Sequence, residues 1–202
     1  RRRHTRWNCD WSSDVCSSDL LGRIGLAAAL RARGFGMQIA FYDPYLPSGM
    51  EIAVGATRCP SLEALMAMAD VLSIHAPATE ETRGLVGRAA LERAKPGLVL
   101  INTARGAIVD IDALYDGLKS GRIAGAGLDV LPVEPARADH KLVAAWRARE
   151  AWIDGRMVLS PHAAFFSPDA VADMRRFAVR TVMDCLEKGS LQNCVNLEYL
   201  KR

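Results

Sequence analysis

From Lys95 to Asp110 the chain reads K-P-G-L-V-L-I-N-T-A-R-G-A-I-V-D, and no other stretch constrains the fold as much. Pro96-Gly97 makes a turn, Leu98 to Ile101 is an unbroken apolar run, and Asn102 opens an abruptly polar loop. A short apolar run without polar alternation is the pattern of a strand covered on both faces, as in a parallel sheet. Arg105 then sits just past the carboxyl end of a buried strand. Open parallel sheets bind ligands at that edge, because the loops there converge on a crevice while the strands below hold them rigid.

The flanking segments alternate in the same way. Leu26 to Arg31 is a strong helix former stopped at Gly34, and Gln38 to Asp43 is a short apolar run ending in an acid. Pro60-Ser61 opens a helix through Met68, and Val71 to His75 reads as a strand closed by Pro77. Asp110 is a good N-cap for a helix to Ser120, stopped by Gly121, and Ile123 to Val130 and Met157 to Ser160 supply two more strands. Strand alternating with helix at this spacing predicts an α/β fold, a doubly wound parallel sheet. Beyond Pro161 the pattern changes. Ser167-Pro168 is an N-cap followed by a first-turn proline, and Val171, Met174, Ala178, Val182 and Cys185 or Leu186 trace the apolar stripe of a helix ending near Gly189.

Half of the 202 residues are hydrophobic and about a quarter charged, which predicts one globular domain with part of a second. The net charge of +3 partly reflects Arg1, Arg2, Arg3 and Arg6. Elsewhere the two signs alternate, and no basic stripe argues for nucleic acid. Cys9, Cys16, Cys59, Cys185 and Cys194 are odd in number, with neither metal-ligand spacing nor a disulfide framework. No bound metal and a reducing cytoplasm are therefore expected. No apolar run approaches the roughly 18 residues of a membrane span, and the basic start lacks the apolar segment of a signal peptide.

Residues 1–20 do not belong with the rest. They hold two of the four Trp, two of the five Cys and the near-duplicate Ser12-Ser13-Asp14 and Ser17-Ser18-Asp19, with no helical or strand period. Asp10 to Leu20, D-W-S-S-D-V-C-S-S-D-L, resembles the in-frame translation of a sequencing adapter and is set aside as a non-native leader. On this reading the genuine protein starts near Leu21, truncated at its amino end, and its first sheet strand is missing. That strand would lie centrally, between the one at Gln38 to Tyr42 and the one at Leu98 to Asn102. Two facing edges would be unpaired, and the chain alone is expected to be poorly stable and inactive.

Gly22 and Gly25 occupy the second and third places of a G-x-G-x-x-G fingerprint, with Leu20 in the first. Backbone N–H groups at such a helix start hold a pyrophosphate. Asp43 ends the next strand, where a carboxylate accepts both hydroxyls of an adenosine ribose and repels a 2′-phosphate, so NAD is expected over NADP. Further strand ends carry Arg105, then Asp129 and Glu134, then His162 in S-P-H-A-A. Reduction of a 2-oxo acid needs a cation on the carbonyl-carboxylate pair and a proton donor working near neutral pH. Arg105 suits the first role and His162 the second, with Glu134 to orient the ring and favour its charged form.

Together N-T-A-R-G-A-I-V-D, G-A-G-L-D-V-L-P-V-E-P and S-P-H-A-A-F resemble the D-isomer-specific 2-hydroxyacid dehydrogenases, over essentially all of Leu21 to Asn196. Phe41 to Tyr45 and Asn193 to Asn196 are most similar to its C-terminal-binding-protein-like and phosphoglycerate-dehydrogenase-like branch. The resemblance implies a Rossmann-type NAD-binding domain over residues 21–164. A carboxyl-terminal helix and tail, 165–202, would belong against a substrate domain that this chain lacks. It implies NAD as cofactor and a catalytic triad of Arg105, Glu134 and His162. Cofactor contacts would fall on Gly22, Arg23, Ile24, Gly25, Asp43, Ala76, Pro77, Thr82, Thr103, Ala104, Asp129, His162, Ala163 and Ala164. The implied activity is hydride transfer between NAD(H) and a small 2-hydroxy or 2-oxo acid. The alternative is an NAD(H)-sensing corepressor-like interaction protein. A cytoplasmic homodimer joined through the NAD-binding domain is expected, with no membrane and no direct nucleic-acid contact. The Glu134 to His162 spacing is longer than is common in the family, so Lys141 to Arg147 is expected to form an extra turn or helix, packed by its tryptophans and placed to meet another subunit.

Overall fold

Backbone ladders and caps place the elements. The computed structural model describes residues 22–192 and 194, and residues 15–19 by their backbone. The order is β1 (Val15–Asp19), α1 (Arg23–Gly34), β2 (Gln38–Tyr42), α2 (Met50–Val54), β3 (Thr57–Arg58), α3 (Leu62–Met68), β4 (Val71–Ile74), α4 (Arg88–Arg93) and β5 (Leu98–Asn102). A single 3-10 turn (Gly106–Ile108), α5 (Ile111–Ser120), β6 (Ile123–Leu128), α6 (Lys141–Arg147), β7 (Met157–Leu159) and α7 (Pro168–Lys188) follow. Capping explains several boundaries. The Asp110 carboxylate accepts from the amides of Asp112 and Ala113 at the start of α5, and Gly121, at φ 81°, closes it. Ser61 and Ser167 accept from Ala64 and Ala170 at the starts of α3 and α7.

All seven strands are parallel, in the order β3-β2-β1-β4-β5-β6-β7. The chain winds outward from β1 through β2 to β3, then returns to β4 and winds the other way. The switch falls between β1 and β4, so a crevice opens at their carboxyl ends.

The expectation of a missing first strand is corrected here. Val15–Asp19 stands in the central place, paired with β2 from Val15↔Gln38 to Asp19↔Tyr42 and with β4 from Cys16↔Val71 to Asp19↔Ile74. Its second neighbour is thus β4 and not β5, and the facing edges of β2 and β4 are both paired. The physical reason is that a parallel ladder is built from backbone N–H and C=O groups, which any residue but proline supplies. Val15–Asp19 contains no proline.

Alternation along the strands divides the core into two clusters. Leu72 and Ile74 of β4, Leu98 and Leu100 of β5, and Ile123, Ala126 and Leu128 of β6 join Leu65, Leu91, Leu114, Leu118, Leu142 and Val143 from helices α3 to α6. Each fully buried leucine there contributes roughly 1.5 to 3 kcal/mol relative to exposure. Ile39 and Phe41 of β2 pack instead with Ala29 of α1 and Val54 beyond it. Val99 and Ile101 are only half-buried, so β5 is sealed on one face and partly covered on the other, short of the two covered faces its apolar run predicts. α6 forms where the long Glu134 to His162 spacing predicts a helix, and Trp146 and Trp152 both pack on the larger cluster.

The chain divides into two compact units, one up to His162 and one from Ala163 on. Within the second, α7 is an amphipathic helix with no buried residue; Met174, Phe177, Val182 and Leu186 are exposed. Besides β1, the short elements α2, β3 and α4 escape the sequence reading, each six residues or fewer and too brief to show a period.

Candidate active site

Asn102, the last residue of β5, is fully buried and spends its side chain on the loop that follows. Its Nδ2 donates to the Arg105 carbonyl at 3.0 Å and its Oδ1 accepts from the Ala104 amide at 3.0 Å. The buried amide thus fixes Thr103 to Arg105 from below. Arg105 itself is exposed at the sheet edge, its Nη1 donating to the Ala104 carbonyl at 2.6 Å. The next residue, Gly106, lies so close to the chain beyond β6 that a Cβ there would overlap the Leu131 carbonyl and the Pro132 nitrogen.

Beyond β6 and β7 the remaining candidates converge. Ser160 donates to Leu128 O through its amide at 3.0 Å, and the His162 amide donates to Asp129 O at 2.9 Å, so the two chains stay paired past the end of the strand. The Ser160 hydroxyl donates to Asp129 Oδ1 at 2.5 Å, and the Asp129 side chain is buried. His162 adopts φ 54°, a left-handed conformation uncommon in residues with a Cβ, though histidine tolerates it better than most. Its Nδ1–H donates to Glu134 Oε2 at 2.7 Å, while Glu134 Oε1 accepts the Leu131 amide at 3.0 Å. The hydrogen bond from His162 holds the Glu134 carboxyl below the ordinary carboxylate range; partial burial opposes this and the Leu131 amide assists it. Asp129, Glu134, Trp146, Arg147, Ser160 and His162 line a cleft of about 610 Å³.

A second cleft, of about 480 Å³, lies toward β2 and β4 and is lined by Tyr42, Tyr45, Ala76, Pro77, Glu81 and Thr82 among others. Tyr45 Oη donates to Glu81 Oε2 across it. The Thr82 hydroxyl donates to Pro77 O at 2.6 Å and accepts the Thr79 amide at 2.8 Å, so Thr82 shapes the loop. Asp43 follows β2 and is buried, its Oδ1 accepting the amides of Tyr45 and Leu46 at 2.9 and 3.0 Å. Gly22 is the N-cap of α1 and makes no side-chain cap; Arg23 and Ile24 are exposed in the first turn and Gly25 is buried. A helix start whose amides lack a side-chain cap, a carboxylate at the next strand end and an apolar cleft beside it fit a dinucleotide. Thr103 is exposed and Ala104 half-buried on the Arg105 loop. Ala163 and Ala164 are exposed and lie in the second unit.

The structure therefore brings Glu134 and His162 into contact and ties the His162 amide to Asp129, whereas Arg105 stands on a separate loop whose Gly106 abuts Leu131 and Pro132. Sequence reasoning missed Asn102, Ser160 and Gly106 as supports. Asn102 carried a readable signal, a polar residue closing an apolar strand. The described residues contain no group of three or more His, Cys, Asp or Glu able to hold a metal ion.

Residues 21–164 match the family described as D-isomer specific 2-hydroxyacid dehydrogenase, NAD binding domain. A glyoxylate reductase of Korarchaeum cryptofilum is 40% identical over 182 residues, 90% of this chain and 52% of that protein. A D-3-phosphoglycerate dehydrogenase of Archaeoglobus fulgidus is 32% identical over 181 residues, 90% of this chain and 32% of its own length. Among solved structures, a glyoxylate reductase from Paecilomyes thermophila superposes with a TM-score of 0.81 at 31% identity, over 94% of this chain and 54% of that one. The apo D-lactate dehydrogenase of Escherichia coli does so with a TM-score of 0.75 at 30% identity, over 92% and 54%. The chain thus spans about half the length of the reductases and a third of the phosphoglycerate dehydrogenase.

Proposed function

The chain belongs to the D-isomer-specific 2-hydroxyacid dehydrogenases through their NAD-binding domain, and from that premise we propose that its protein transfers a hydride between NAD(H) and a small 2-hydroxy or 2-oxo acid. The observation that carries the reading is the Glu134 to His162 hydrogen bond at a sheet edge that also bears Arg105. Bound NADH would supply the hydride; the chain's own residues do the rest. The amides opening α1 would hold the pyrophosphate, Asp43 the adenosine ribose, and Ala76, Pro77 and Thr82 the adenine side. Arg105 holds the substrate carboxylate and polarises the adjacent carbonyl through charge-assisted hydrogen bonds. His162, with Nδ1 engaged by Glu134, passes a proton from Nε2 to the carbonyl oxygen as it becomes a hydroxyl. In the oxidising direction the same nitrogen takes the proton back.

The relatives are named for reductase and dehydrogenase activities, which favours an enzyme over a corepressor-like interaction protein. A cytoplasmic homodimer joined through the NAD-binding domain completes the proposal. No helix among the described residues is long and apolar enough to cross a membrane. The test is NADH oxidation by the full-length protein over a panel of 2-oxo acids that includes glyoxylate, pyruvate and hydroxypyruvate. Turnover that His162→Ala lowers by about a hundredfold or more is expected; NADH binding without turnover of any member would reject the enzymatic reading.

A further inference from the structure

β3 is two residues long, at the edge of the sheet, with Arg58 level with Phe41 of β2. The Arg58 guanidinium lies 4.9 Å from the centroid of the Phe41 ring and uses all three of its nitrogens. Nη1 donates to the Asp43 carbonyl at 3.0 Å, and Nη2 to the Pro47 carbonyl at 2.9 Å. Nε and Nη2 both donate to Glu51 Oε2, at 3.3 and 3.1 Å. The two carbonyls are the first and last of the turn from Asp43 to Pro47. Inside that turn the Tyr45 and Leu46 amides hold Asp43 Oδ1. One planar group thus brackets the turn from outside while the carboxylate is tied from within.

We propose that Arg58 is a positioning residue for cofactor choice: it fixes the turn so that the Asp43 carboxylate meets a ribose diol, and Glu51 holds the guanidinium to that task. The inference rests on the reading of Asp43 given above. Its physical basis is the fork geometry of arginine, which reaches two carbonyls and a carboxylate while stacking on a ring; a lysine ammonium, a point charge, cannot bracket the turn in the same way. The pairing has a second effect. A guanidinium engaged on every nitrogen and neutralised by Glu51 does not offer itself to a 2′-phosphate, so the same contacts that place Asp43 also withhold the cation that NADPH would use.

The test uses the full-length protein, unmodified and as Asp43→Ala, Arg58→Ala and Arg58→Lys, titrated with NADH and with NADPH by fluorescence. Amide exchange at Tyr45 and Leu46 is followed without cofactor. For both Arg58 variants the preference for NADH over NADPH should fall about tenfold, in keeping with the loss of one or two charge-assisted hydrogen bonds from a part-exposed site, and both amides should exchange faster. Arg58→Lys keeps the charge and most of the bulk, and carries the measurement if Arg58→Ala does not fold. A preference retained by both Arg58 variants but lost in Asp43→Ala overturns the role of Arg58 and spares that of Asp43. A preference retained in all three overturns the Asp43 reading and this inference with it.

Discussion

His162 Nδ1 lies 2.7 Å from Glu134 Oε2, although the two residues leave different strands. The contact lowers the Glu134 carboxyl, so its carboxylate form is favoured in the fold. A carboxyl lowered on folding contributes stability that is complete above its unfolded range and is lost as pH falls through its folded value. Both side chains are about two-fifths exposed, which limits the contribution to below about 1 kcal/mol. Urea denaturation of the unmodified chain and Glu134→Gln at several pH values should show a small neutral-pH difference that shrinks on the acid side. A difference independent of pH would remove the carboxylate as its cause.

In the proposed reaction the same pair delivers the proton. In the full-length protein His162→Ala should lower kcat for 2-oxo acid reduction by about a hundredfold or more, the range of general-acid catalysis, while the Kd for NADH changes little. Glu134→Gln should move the rate profile of reduction toward lower pH, because an amide gives less support to a charged ring. Steady-state rates against pH decide this, and an unchanged profile would show that Glu134 does not act through His162.

Arg105→Gln separates substrate from cofactor. Losing a charge-assisted pair of about 2 to 3 kcal/mol should cost on the order of a hundredfold in kcat/KM for the 2-oxo acid. NADH binding, read by fluorescence, should stay within a few-fold. An equal loss of both would place Arg105 on the dinucleotide.

Asn102→Ala should destabilise the chain by about 2 kcal/mol, because the Arg105 carbonyl and the Ala104 amide lose their buried partner together. A shift in the urea midpoint at unchanged slope is the expected signature, and a neutral substitution would mean that the loop holds itself.

The central strand yields the bluntest test. Ser17 pairs with Ala40 on one side and with Leu72 on the other. Ser17→Pro removes a ladder donor in the middle of the sheet, where proline is essentially never found. Its thermal melt should lose cooperativity. A melt like that of the unmodified chain would show that β1 does not hold the sheet together.

Much of this was legible in advance, for identifiable reasons. Leu98 to Ile101, Val71 to His75 and Met157 to Ser160 declare strands by apolar runs, and Asp110, Gly121, Ser167 and Gly189 mark helix ends by capping chemistry that acts over a few residues. Glu134 and His162 could be named as partners because each lies in a motif just past a strand end. β1 was not legible: Ser17, Ser18 and Asp19 speak against a central strand, and only pairing with β2 and β4, residues distant in sequence, puts them there. Arg58 was silent for the same reason. Its acceptors lie seven to fifteen positions away across a turn whose shape no local pattern announces.

Gly106 has a consequence for the site as a mechanism. The Arg105 loop and the stretch running from Asp129 to Glu134 come so close there that no side chain fits between them, so a residue with a Cβ at 106 would push them apart. The glycine therefore sets how near the Arg105 loop can stand to the loop that carries Glu134. Room for a longer or bulkier acid would come from side chains, Trp146 and Arg147 on the wall of the larger cleft among them.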